Sequence, residues 1–262
     1  MIGRTVHLLL HFDGTGFHGW QRQSADRTVQ GELEAVLQRL CGGRIVVHGA
    51  GRTDAGVHAI GMSASCTVPV RWTPPDLCRA LNALLPADCW VVSVTETIPG
   101  FHARHAAIER EYRFDVGTSR GCRSPFRRRY EWALATPLDR AALDTAAGMI
   151  PGEHDFRRLA VHTTRRANTL CRVRMAQWDT RGPGGDLRFR IAANRFLHHM
   201  VRILVATLVE VGQGRRPPGD IRALLEQHPG VRAAGPAPAE GLCFVTARYP
   251  AHWFTNVSTP SC

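Results

Sequence analysis

One order of hydrophobic patterns runs twice through this chain, and it restricts the fold more than any other feature. The apolar and β-branched residues from Thr5 to Phe12 predict a strand. Val29, Leu33, Val36, Leu37 and Leu40 recur at helical spacing, with Thr28 placed as an N-cap and Gly42-Gly43 as a stop. Arg44 to His48 and Ser63 to Val70 read as strands, Pro75 to Leu85 as a helix closed by Pro86, and Trp90 to Thr97 as a strand. The second half repeats this order. Arg110 to Val116 predicts a strand and Asp139 to Met149 a helix. Cys171 to Thr180 and Leu187 to Ala193 predict a β-pair across Gly182-Pro183-Gly184-Gly185. A helix from Phe196 to Val211 follows, then a shorter one near Gly219 to Gln227 and a last strand from Cys243 to Ala247.

Two successive β-α-β-β-α-β units predict an α+β fold of two tandem ferredoxin-like halves with antiparallel sheets. The join falls near Pro99 to His105, giving halves 1–104 and 105–250, with the polar segment 251–262 as a loosely held tail. No apolar run approaches 18 residues, so no membrane span is expected. Met1-Ile2-Gly3-Arg4 leads straight into the first strand pattern without signal-peptide architecture. The eight cysteines (41, 66, 78, 89, 122, 171, 243 and 262) are scattered without a CxxC pair, which fits reduced thiols in a cytoplasmic protein.

Charge points to the partner. The formal net charge is +11, and all 33 basic residues are arginine. Genomic codon bias alone would also favour arginine over lysine, but arginine is the better bidentate ligand of phosphate. A strongly basic chain without a membrane span suggests nucleic acid. Arg127-Arg128-Arg129, Arg157-Arg158, Arg165-Arg166 and Arg215-Arg216 are candidate phosphate contacts, although any one such cluster also reads as a solvated patch.

The segment Gly51-Arg52-Thr53-Asp54-Ala55-Gly56-Val57-His58-Ala59 concentrates the chemistry. Its glycines permit a tight backbone path and close approach of a ligand. A guanidinium two residues before a carboxylate favours the ionised form. Such a carboxylate suits a nucleophile or a base. The same pair also describes a structural ion pair in a turn.

This segment resembles the active-site signature of the TruA family of tRNA pseudouridine synthases. Other stretches match in the same order: Asp13-Gly14-Thr15-Gly16-Phe17-His18-Gly19-Trp20-Gln21, Thr28-Val29-Gln30, Ala80 to Pro86, Phe101-His102-Ala103-Arg104 and Arg110-Glu111-Tyr112-Arg113-Phe114. Gly152-Glu153-His154-Asp155-Phe156, Phe196 to Arg202 and Glu240-Gly241-Leu242 complete the series, so the similarity spans roughly residues 5 to 249. The resemblance implies isomerisation of uridine to pseudouridine at tRNA positions 38, 39 and 40, in a homodimer with a cleft between the two halves of each chain. It implies Asp54 as the nucleophile, leaving open a sugar adduct, a glycal intermediate or attack on the ring. Arg52 would pair with Asp54 or fill the gap left by the extruded nucleotide. Tyr112 would stack on the flipped uracil and serve in proton transfer, and Leu242 would pack on the other face of the base. The alternative is a catalytically silent RNA-binding protein on the same scaffold.

The reaction has no net redox change, so no cofactor is expected. The thirteen histidines do not form a metal pattern: His198-His199 and His102 with His105 lack zinc-site spacing. A metal-dependent phosphoesterase therefore lacks a ligand set. Asp155 reads as a loop organiser, and His58 and His154 as structural hydrogen-bonding residues. The Gly-rich loop Asp13 to Gln21 is a candidate for approach to the RNA backbone. Two positions depart from the family pattern: Met62, where glutamine is common, and Ala193-Asn194-Arg195, which replaces a more glycine-rich lead into the next helix.

Overall fold

The computed structural model describes residues 3–161, 168–182 and 184–254. In chain order its elements are β1 (Gly3–Phe12), α1 (Val29–Cys41), β2 (His48–Gly49), β3 (His58–Pro69), α2 (Pro74–Leu84), β4 (Cys89–Glu96), β5 (Glu109–Gly117) and β6 (Trp132–Ala133). Then follow α3 (Arg140–Ala147), β7 (Gly152–Asp155), β8 (Leu170–Arg181), β9 (Asp186–Ala193), α4 (Met200–Gly212), α5 (Asp220–Leu225) and β10 (Leu242–Arg248). The class is α+β, with mostly antiparallel pairing and few helices. The chain divides into two compact units, Met1–Arg110 with Phe244–Cys262, and Glu111–Cys243.

In the first unit the strands run in the order β4-β1-β3-β10, and β2 also pairs with β3. Alternation along β1 turns Val6, Leu8 and Leu10 inward, each fully buried. Leu33 and Leu37 of α1 and Leu77 and Leu81 of α2 complete that core. Each such side chain contributes roughly 1.5–3 kcal/mol by burial. Thr28 caps α1 as its spacing predicts: its hydroxyl accepts from the Gly31 amide at 3.2 Å. Gly42 ends the helix in the left-handed region, with φ of 75°.

The strand expected at Arg44–His48 is reduced to His48–Gly49, and β3 begins at His58, five residues before the expected Ser63. Gly61 disguised that extension, because an isolated glycine weakens a strand pattern. Its backbone is needed bare: a Cβ there would lie 2.0 Å from the Val245 carbonyl oxygen on β10. Met62 is fully buried opposite Leu10, so this departure is accommodated as core packing. At the C-terminal side, Ala251–Trp253 form a turn and Phe254 bridges Thr97, while 255–262, the rest of the expected tail, lie outside the described residues.

In the second unit the order is β5-β9-β8-β7, with β6 parallel to β5. Phe114, Val116, Phe189 and Ile191 line one face and are fully buried. α4 is buried around most of its circumference, as a helix apolar on nearly all sides must be. It starts at Met200 rather than Phe196, because His199 takes a left-handed conformation, φ 58°, that stops the helix propagating further back. β7 escaped the sequence reading because Gly-Glu-His-Asp has no apolar alternation; it is a polar edge strand laid on β8. Asn194 ends the β8–β9 ladder by two hydrogen bonds to Arg172: its amide donates to the Arg172 carbonyl at 3.1 Å, and its side-chain oxygen accepts from the Arg172 amide at 2.9 Å. Pro183 of the expected hairpin and the pair Arg165-Arg166 lie outside the described residues.

Candidate functional site

Asp54 opens a tight turn. The Val57 amide donates to the Asp54 carbonyl at 3.2 Å, and Gly56 has φ of 80°, the conformation a type II turn requires at its third position. Thr53 is buried, Asp54 half-buried and Arg52 exposed. A carboxylate at the head of such a turn keeps access to a ligand while its backbone is fixed on both sides.

The fixing is done by the loop between β1 and α1. The Trp20 amide donates to the Thr53 carbonyl at 3.0 Å, and the Gly56 amide donates to the Phe17 carbonyl at 3.3 Å. Gly14 donates from its amide to Nδ1 of the buried His58 at 3.0 Å, a structural hydrogen bond of the kind expected for His58. A Cβ on Gly14 would fall 2.1 Å from the Val57 carbonyl oxygen, and one on Gly19 2.6 Å from that of Thr53. Gly14 and Gly19 of this loop therefore face the Asp54 turn. Phe17 and Trp20 anchor the loop in the core, each 2% exposed. Arg27 lies 4.2 Å above the Phe17 ring and makes a bidentate pair with Asp88 at 2.7 and 2.8 Å. Arg110 steadies the entry to the signature: its Nε donates to the Ala50 carbonyl at 3.2 Å and its Nη1 to that of Ala107 at 2.9 Å. Arg110 stood in a recognised motif, but only the fold reveals what its side chain holds.

Tyr112 and Leu242 belong to the second unit, Arg52 and Asp54 to the first. Tyr112 lies on β5, is 8% exposed and meets Phe196 edge to face, with centroids 4.9 Å apart at 84°. Leu242 begins β10 and is buried. Gly241 before it is pressed against β5: a Cβ there would sit 2.4 Å from a ring carbon of Phe114.

The arginine clusters are only partly available to phosphate. Arg127 is engaged by buried Glu131 at 2.8 Å and buried Asp186 at 2.5 Å. Arg216 is held by Glu210 and by the Arg232 carbonyl, and Arg158 by the Val231 carbonyl. Arg128, Arg157 and Arg215 are exposed. Sequence inspection also missed a buried ion network. Asp115 takes Arg188 bidentately at 2.6 and 2.9 Å, and Glu131 takes Arg181 as well as Arg127. Asp155 organises its loop as expected, accepting from the Arg157 amide at 2.9 Å. Cys66 and Cys89 are buried, and burial pushes each thiol up to about 12. Among the described residues no helix is long and apolar enough to cross a membrane.

A family model described as tRNA pseudouridine synthase matches residues 9–104 and 146–250, including Arg52, Asp54 and Leu242. The chain belongs to that family. It is 42% identical over 252 residues to tRNA pseudouridine synthase A of Solidesulfovibrio magneticus, covering 93% of this chain and 90% of the relative. The protein of the same name from Moorella thermoacetica is 40% identical over 250 residues, covering 93% and 99%. The Geobacter relative, again a tRNA pseudouridine synthase A, is 37% identical over 249 residues, covering 94% and 99%. Tyr112 falls between the two segments of the family match.

Proposed function

We propose that this chain is a tRNA pseudouridine synthase that isomerises uridine to pseudouridine at positions 38, 39 and 40 of the anticodon arm. The observation that carries the reading is the backbone-clamped turn presenting Asp54 within a family match covering most of the chain. Asp54 is the nucleophile in this reading. Arg52, exposed two residues earlier, pairs with Asp54 and occupies the gap left by the extruded nucleotide. Tyr112 stacks on the uracil and moves a proton at C5, and Leu242 packs on the base. The target base must leave its stack, at a cost of a few kcal/mol, and RNA contacts elsewhere offset it.

The two units are read as tandem ferredoxin-like halves. The strand order β4-β1-β3, with β2 on the other side of the first sheet, supports this. A homodimer and a cytoplasmic location belong to the same reading. Asp54→Asn keeps size and removes charge. It is expected to abolish pseudouridine formation in an unmodified tRNA transcript while retaining most tRNA affinity, which rests on phosphate contacts. Turnover by a clean Asp54→Ala preparation would overturn the assignment.

A further inference from the structure

We infer that the segment from Thr118 to Tyr130 is a second RNA contact, in which the Phe126 ring stacks on an unpaired nucleobase and the arginines around it take the flanking phosphates. The inference rests on the reading of this chain as a tRNA-binding enzyme and adds a contact away from Asp54. The segment lies between the two stretches of the family-model match.

Three observations converge. Phe126 is 89% exposed, a costly position for a large apolar ring without a partner, and Tyr130 nearby is 47% exposed. The segment holds five arginines and no acidic residue, and Arg120, Arg123, Arg128 and Arg129 are exposed. The loop is also built to hold its shape. Asp186, buried, accepts from the Thr118 amide at 2.9 Å, the Ser119 amide at 3.2 Å and the Ser119 hydroxyl at 3.1 Å, and pairs with Arg127. Cys122 is fully buried and pressed on Gly117, where a Cβ would lie only 2.2 Å from that of Cys122. Consecutive turns follow, with Arg127 and Arg128 donating to the Ser124 carbonyl at 3.0 and 2.9 Å and Tyr130 to that of Arg127 at 2.8 Å. The ring is thus held outward by a structured loop, so stacking on it requires little further ordering.

Charge decides the occupant. An aromatic ring among cationic side chains and phosphates is the arrangement by which proteins hold single-stranded nucleic acid. A second copy of this chain, meeting the same patch about a two-fold axis, would set arginines against arginines.

The test uses the full-length protein and an unmodified tRNA transcript. Phe126→Ala is expected to weaken tRNA binding roughly 5- to 150-fold, the range for loss of one stacked base, and Phe126→Trp to retain it. Arg123→Gln and Arg128→Gln should each lower the salt dependence of binding by about one ion. With p-benzoyl-phenylalanine at position 126, irradiation should give a protein–RNA adduct. Unchanged tRNA affinity in Phe126→Ala, or an adduct joining two protein copies, would overturn the inference. Pseudouridine formation by the unaltered enzyme is scored separately. If it proceeds while Phe126 proves silent, the contact fails and the activity stands. If it is absent while the RNA adduct forms, the activity fails and the contact stands.

Discussion

Gly19 and Thr53 approach so closely that a Cβ on the glycine would lie 2.6 Å from the threonine carbonyl oxygen. The same carbonyl accepts the Trp20 amide at 3.0 Å, one residue before Asp54. The catalytic candidate is therefore positioned by a loop more than thirty residues upstream, through main-chain contacts that tolerate no side chain at Gly19.

Gly19→Ala should accordingly injure function more than folding. Its φ of 86° and the clash with Thr53 are expected to cost about 1–3 kcal/mol, read as a lower denaturation midpoint. A shift of about 1 Å in the Asp54 turn is expected to reduce the single-turnover rate on saturating tRNA on the order of 10²-fold. A variant that unfolds earlier yet turns over at the original rate would show that the Gly19–Thr53 contact does not position Asp54.

Tyr112→Phe separates the two proposed functions of the tyrosine. The ring and its edge-to-face contact with Phe196 are kept, and the hydroxyl is lost. Loss of general acid–base catalysis typically costs 10²–10⁴-fold. We expect a rate loss in that range with tRNA affinity little changed. A near-normal rate would leave stacking as the only role.

His7 should make the protein acid-sensitive. Its ring lies against Phe101, Tyr249 and Phe254, with centroids 5.8, 5.8 and 5.5 Å away. Its Nε2 is buried without a hydrogen-bond partner among the described residues, and burial lowers its pKa from 6.5 to about 4. The folded state therefore resists protonation that the unfolded chain accepts. Stability attributable to neutral His7 is complete above pH 6.5 and is lost as pH falls towards 4, by up to about 3 kcal/mol. Urea midpoints measured from pH 7.5 to 4 should fall across that window, and His7→Phe should flatten the fall. An identical pH profile for the variant would exclude His7 as the cause.

Asp186→Ala should loosen the Phe126 loop and destabilise the second unit together. It removes the acceptor shared by Thr118 and Ser119 and leaves Arg127 with Glu131 alone. Breaking a buried pair on one side costs about 3–5 kcal/mol, and the partial exposure of Arg127 places the expectation at about 3. Burial opposes ionisation of Asp186, but the Ser119 amide, Arg127 and the Thr118 amide outweigh it and hold the carboxyl below its usual range. The contribution of Asp186 is therefore present at neutral pH and lost as pH falls through that lowered value. Calorimetry of the variant at neutral pH and in acid tests both points: a midpoint unchanged at neutral pH would remove the clamp.

The order of strands and helices was written in local pattern, because alternation and helical spacing report which face of each element is buried. Val6, Leu8 and Leu10 on β1 and the Thr28-capped stripe of α1 needed no knowledge of their neighbours. The Asp54 signature was legible for a similar reason, since its residues are contiguous. What escaped depended on partners distant in sequence. The bareness of Gly14, Gly19 and Gly61 answers to carbonyls of Val57, Thr53 and Val245, and the start of α4 to the left-handed turn at His199. Arg127 looked like a phosphate ligand until folding set Glu131 and Asp186 against it. Residue type and spacing determined the elements, and the family resemblance singled out the candidate carboxylate. Tertiary structure alone decided which backbone holds that carboxylate and which arginines are already neutralised, because close approach and burial of charge are properties of pairs that the linear order does not join.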